Sequence, residues 1–98
     1  MQRIPAVRFS QYFYDRNHEH NVDENDVLDS IEDRRVLVSR AFRRRGRKLR
    51  IIWARNDHVY LRIVVQLAET FWWVLSAYPA NDSEIARARQ ARVGEELS

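Results

Sequence analysis

Between residues 34 and 79 the chain reads as four runs, RRVLVSRAF, RKLRIIWA, HVYLRIVVQL and FWWVLSAYP, each rich in β-branched and aromatic residues. Short polar turns divide them. Such runs favour pleated, half-buried strands, and short connections make consecutive strands antiparallel neighbours. The expected core is therefore a four-stranded antiparallel meander. A chain of 98 residues buries roughly 60–70% of the surface its unfolded form exposes, which gives one modest core and room for two layers. Eleven aromatic side chains, three Trp, four Tyr and four Phe, have to find places in or around that core.

Before the strands come two helix signals. Ser10 is a good N-cap, with Phe9 before it able to staple to Tyr14, and Asp23 caps a second helix with Val22 and Val27 as its staple. Helices over about 10–20 and 23–33 follow, after an N-terminal arm of residues 1–9. Asn81 or Asp82 caps the remainder, NDSEIARARQARVGEELS, which Gly94 would stop; a third helix and a frayed tail are both open there. The expected fold is α+β, a single domain with two N-terminal helices packed on one face of the sheet.

Composition narrows the function classes. Without cysteine there is no disulfide, thiolate metal site or cysteine nucleophile. No apolar run approaches the ~20 residues of a membrane span, and MQRIPAVRF lacks the apolar core of a signal peptide, so a cytoplasmic protein is the default expectation. The net charge of +3 conceals a strong segregation: residues 11–33 hold eight acids and one Arg, whereas residues 34–62 hold ten Arg, one Lys and one Asp. A segment of that kind attracts polyanions.

Strand alternation then assigns faces. Val59, Leu61, Ile63, Val65 and Leu67 of the third run form the core side, leaving His58, Tyr60, Arg62, Val64 and Gln66 opposite. In the second run Leu49, Ile51 and Trp53 face inward and Lys48, Arg50 and Ile52 outward. In the fourth, Phe71, Trp73, Leu75 and Ala77 face inward and Trp72, Val74, Ser76 and Tyr78 outward. With three-residue turns at Arg55-Asn56-Asp57 and Ala68-Glu69-Thr70, Arg50 lies opposite Arg62 and Arg62 opposite Ser76, and the next row is Ile52, Tyr60, Tyr78. Two arginines face to face repel unless an anion sits between them, as in an empty phosphate site; the alternative is that both splay into water over the aromatic rings.

Residues 41–50, AFRRRGRKLR, make the first hairpin, with Gly46 supplying positive φ. Arg43, Arg44, Arg45, Arg47 and Lys48 continue into Arg50 and Arg62 with Tyr60, Trp72 and Tyr78 interleaved. Phosphates held by charge and bases stacked on rings are the pattern of single-stranded nucleic-acid binding, against the plainer reading of a solvated basic face.

Two helices followed by an antiparallel sheet ending in LSAYP resemble the RelE/ParE-like toxins, and most of all their short relatives grouped with barnase, EndoU and colicin-type RNases. Those relatives often begin with Ser-x-His-x-x-x-Arg-x-x-x-Arg-Gly-Ile. The corresponding run here is SQYFYDRNHEHNV, in which Ser10 and Arg16 fit, Tyr12 stands in place of the His, His20 replaces the second Arg, and Asn21-Val22 replace Gly-Ile. The likeness spans about residues 8–80 and is better in layout than in identity. Tyr12, Arg16 and His20 recur every four residues and form one helix stripe.

The resemblance implies a metal-independent endoribonuclease without cofactors, acting on single-stranded RNA and neutralised by a cognate antitoxin that covers its basic face. In that chemistry Arg62 and Arg50 stabilise the phosphoryl charge, and Tyr78, Tyr60, His58 or His20 supply acid or base; Arg43, Arg44, Arg45, Arg47, Lys48, Trp72 and Arg16 bind RNA. Each histidine also has a plain reading as a surface or strand-start residue. His18 and His20, two apart on a helix, point in different directions and are not a persuasive metal pair. Two other readings stand beside this one: a module that binds RNA or DNA without cutting, and an interaction protein engaging its partner through the acidic helices or the C-terminal segment.

Overall fold

A computed structural model of the chain describes residues 6–20, 22–31, 36–56 and 59–97. Its elements are β1 (Ala6–Phe9), α1 (Gln11–His20), α2 (Glu24–Ile31), β2 (Val36–Arg44), β3 (Arg47–Asn56), β4 (Val59–Leu67), β5 (Phe71–Ala80) and α3 (Asp82–Leu97). They build a mixed α+β fold on a five-stranded sheet of order β1-β5-β4-β3-β2. The meander β2 to β5 is antiparallel throughout, as the four runs require.

The fifth strand is the first correction. Residues 6–9 are not part of an arm but lie parallel to β5, pairing Ala6 with Phe71 and Phe9 with Val74. Four residues carry little local information, and only a partner more than sixty residues away makes them a strand.

Both N-terminal helix starts follow their caps. Ser10 Oγ accepts the Phe13 N–H at 3.1 Å and itself donates to the Val74 carbonyl at 2.9 Å, joining α1 to the sheet. Asp23 accepts the Asn25 N–H at 2.8 Å, and the stapling pair Val22 and Val27 is buried. Phe9 reaches Tyr14, as expected, but packs more closely on Phe13, with ring centroids 4.9 Å apart. Phe13, Val27 and Ile31 bury themselves against Ile52, Ala54, Leu61, Ile63, Val65, Val74 and Ala77, which is the main core.

The third helix overturns the two-layer expectation. Asn81 caps it through the Glu84 N–H at 2.9 Å, and Gly94 does not stop it. Ile85 and Ala88 pack on Val38 and Trp53, residues that face away from Ile52 and Ala54, so α3 lies on the opposite side of the sheet from α1 and α2. The sheet is covered twice, with α3 over one part of its second face.

The register differs from expectation in two places. At the β3–β4 connection Arg55 pairs with Tyr60 and Asn56 with Val59, so both belong to strands and the connection shortens to residues 57–58; Asp57 and His58 lie outside the described residues. A two-residue link pairs odd positions with even ones. Leu61 and Ile63 keep the core face, as expected, while Ile52 and Ala54 replace Leu49, Ile51 and Trp53 there. Val59, at the end of its row, stays exposed. The Ala68–Thr70 turn is present, closed by the Ala68 N–H on the Phe71 carbonyl at 2.9 Å. A bulge after Val64 then shifts the β4–β5 pairing, so Trp72 and Val74 join the main core and Phe71 and Trp73 do not, whereas Ala77 returns to it.

Candidate nucleic-acid interface

The shifted register rewrites the expected arginine row. Arg50 pairs with Val65 on the side covered by α1 and α2 and donates to Ser39 Oγ at 2.7 Å, so it does not face Arg62. Arg62 instead has Trp53 on one side and Tyr78 on the other. Its guanidinium carbon stands 5.0 Å from the Tyr78 ring centroid and 5.9 Å from that of Trp53, within range of cation–π attraction to both. The two repelling cations of the sequence reading are replaced by one cation between two rings.

Around this residue the second face and α3 form a shallow, open cavity of about 300 Å³ lined by Arg40, Trp53, Arg62, Glu84, Arg87 and Ala88. Three guanidinium side chains and one carboxylate therefore share a small space. The Trp53 indole N–H donates to Glu84 Oε2 at 2.9 Å, which ties α3 to the sheet beside Arg62. Arg62 Nε is buried and has no hydrogen-bond partner among the described residues. An unsatisfied charged donor costs folding free energy, of the order of 1–3 kcal/mol or more, unless something outside the chain accepts from it.

The second concavity lies at the basic hairpin. Arg45 (φ 53°) and Gly46 (φ 79°) both take positive φ, as a two-residue hairpin turn demands, and no atom stands within 4 Å of a Cβ built on Gly46; its glycine is required by the backbone alone. Arg44, Arg45 and Arg47 line a groove of about 540 Å³ together with Tyr12, Leu49, Gln66 and Leu75. Arg43 and Lys48 form the neighbouring pair, which alternation turns to the other side of the hairpin. The basic hairpin cluster is thus divided between two faces.

Other expected contributors are dispersed. Arg16 stays on α1, its Nε donating to the Tyr12 hydroxyl at 2.9 Å and its guanidinium 5.1 Å from the Tyr12 ring centroid, so two members of the expected stripe do meet. The side chains of His20 and His58 lie outside the described residues. Tyr60 packs against the α3 cluster, at a separate cavity shared with Arg55, Asp82 and Arg89. Trp72 is half-buried against the main core, and Trp73 takes its place on the second face, edge-on to Phe71 at 5.1 Å.

Sequence reasoning did not reach Arg40, Glu84 and Arg87. Alternation from Val38 to Arg40, and the spacing of Glu84, Ile85, Arg87 and Ala88 on one helix, carried the signal, but only a docked α3 gives it meaning. Among the described residues no group of three or more His, Asp or Glu is placed to hold a metal ion, and no helix is long and apolar enough to cross a membrane. No protein-family model matches this chain, and no curated protein is significantly similar to it.

Proposed function

We propose that this chain is a toxin-like endoribonuclease that binds single-stranded RNA across the second face of its sheet and cleaves it by attack of a 2′-hydroxyl. The observation that supports this most is Arg62: a guanidinium oriented by Trp53 and Tyr78, with a buried unpartnered Nε, beside Arg40 and Arg87. A phosphate there would meet the guanidinium of Arg62 together with Arg40 and Arg87.

In this reading a base takes the 2′-OH proton, the 2′ oxygen bonds to the adjacent phosphorus, the bond from phosphorus to the 5′ oxygen breaks, and an acid protonates that oxygen. The products are a 2′,3′-cyclic phosphate and a 5′-hydroxyl. Arg62 stabilises charge on the phosphoryl oxygens as the fifth bond forms. Glu84, which lines the same cavity, is the base, and the Tyr78 hydroxyl is the acid. Exposed arginines of the hairpin hold the flanking backbone and give affinity that falls with salt. An acidic antitoxin laid over this face would neutralise both functions.

Purified protein free of any partner, incubated with labelled RNA in EDTA, tests the reading on wild type, Arg62→Ala, Tyr78→Phe, Glu84→Gln and His20→Ala. Cleavage lost with Arg62→Ala and retained with His20→Ala is the expected result. Cleavage that survives Arg62→Ala places the chemistry elsewhere. A second reading, RNA binding without cleavage, is favoured by Tyr12 in place of the histidine and by α3 over the cavity; binding with no product in wild type would select it.

A further inference from the structure

We propose that the hairpin groove is a nucleobase pocket, in which Tyr12 stacks an unpaired base of single-stranded RNA and Gln66 hydrogen-bonds its edge. The proposal rests on the RNA reading above and adds to it a site of base selection.

The lining divides by chemistry. Leu49 and Leu75 make an apolar floor, Arg44, Arg45 and Arg47 bring positive charge, and Gln66 is the one carboxamide among the lining residues. Gln66 is half-buried. A carboxamide carries both donor and acceptor, which is what the edge of an unpaired base offers in return. Tyr12 is 50% exposed, unusual for so large a ring. Arg16 lies over that ring and donates to its hydroxyl, so the ring is held in place. Aromatic rings beside basic groups accept bases of single strands because every base has a π-face.

A volume near 540 Å³ falls within the span of sites that take small organic groups, about 300–1,000 Å³. The surrounding arginines favour an anionic strand over a neutral ligand.

Fluorescence anisotropy with labelled eight-nucleotide 2′-O-methyl oligo(A), oligo(U) and oligo(C), which lack the 2′-hydroxyl nucleophile, at low salt in EDTA tests the proposal. The variants are Tyr12→Ala, Tyr12→Phe and Gln66→Leu, each first matched to wild type in thermal melting; polyphosphate and poly-glutamate serve as competitors. Wild type should separate the three oligomers by about tenfold in affinity, and Gln66→Leu should reduce that separation to about twofold with little change in the mean. Tyr12→Ala should weaken all three about tenfold while Tyr12→Phe does not. Polyphosphate binding should be indifferent to all three changes. Equal binding of the oligomers by wild type, or a separation that survives Gln66→Leu, overturns the pocket while leaving RNA binding standing. Poly-glutamate binding that alone responds to Tyr12→Ala would make the groove a protein-docking surface and also overturn it. Absence of oligomer binding at low salt defeats the RNA reading and the pocket together.

Discussion

The cavity under α3 and the groove at the hairpin are both rich in arginine, and they hold it in opposite ways. Arg62 is half-buried, flanked by two rings and roofed by a helix, whereas Arg44, Arg45 and Arg47 are exposed around a positive-φ turn. A flanked guanidinium has already lost most of its rotamer freedom during folding, so it can meet a transition state without further ordering cost. Exposed guanidiniums contribute charge at long range and adapt to whatever backbone arrives. The contrast separates geometry from charge: in the proposed reading one region acts on a phosphate, and the other collects and presents the strand.

If that division is right, Arg62→Ala should lower the single-turnover cleavage rate by about 10²–10³-fold while RNA affinity falls far less. Arg62→Lys should not restore the rate, since an ammonium cannot lie planar between Trp53 and Tyr78. Equal losses in rate and affinity would erase the distinction between the two regions. Glu84→Gln should split the parameters the other way. The chemical step slows by about 10²-fold if the carboxylate is the base, and binding tightens because a negative charge leaves the cavity.

Reversal of Arg44, Arg45 and Arg47 to Glu should act mainly on affinity. Three lost phosphate contacts reduce the slope of log affinity against log salt by about 2, at ~0.7 per contact for single strands. The cleavage rate at saturating RNA should change little, and a collapse of that rate would mean that the groove belongs to the chemistry. Ser10→Ala tests the scaffold of the groove alone: loss of the cap and of the bond to Val74 should cost about 1 kcal/mol in denaturant unfolding and weaken binding slightly, with the Arg62 chemistry preserved.

The smallest effect is expected outside both regions. A hydrogen bond to Glu24 raises the Tyr14 hydroxyl above its ordinary value of 10.0. A group raised in the folded state contributes stability that is fully present below its unfolded value and is lost as pH climbs through the folded one. A slight loss of stability above about pH 10 should therefore be measurable by chemical denaturation and absent in Tyr14→Phe. RNA binding at neutral pH should be the same in that variant, which makes it a baseline for the others.

Much of the scaffold was legible because its causes are local. Ser10 and Asp23 started helices where their side chains reach backbone N–H groups three and two residues ahead, and Gly46 closed the hairpin its conformation allows. The β-branched runs became strands with nearly the expected ends. The candidate site was legible only in part: Arg62 and Tyr78 were rightly placed on one face, but their partners were not. Arg50 was lost to the other side and Trp53 gained because a single residue in the β3–β4 link inverts every side chain of one strand. Trp72 and Trp73 exchanged roles through one bulge, a feature that adjacent composition does not announce.

The amino-acid sequence by itself determined the element types of the meander and first two helices, the segregation of charge and the basic hairpin, since propensity, capping and net charge act over a few residues. Tertiary structure decided that residues 6–9 are a strand, that α3 covers the second face, and that Arg40, Arg62, Arg87 and Glu84 line one cavity. Pairing register and helix docking depend on contacts between segments tens of residues apart, where a shift of one position costs little locally and reverses which side chains meet.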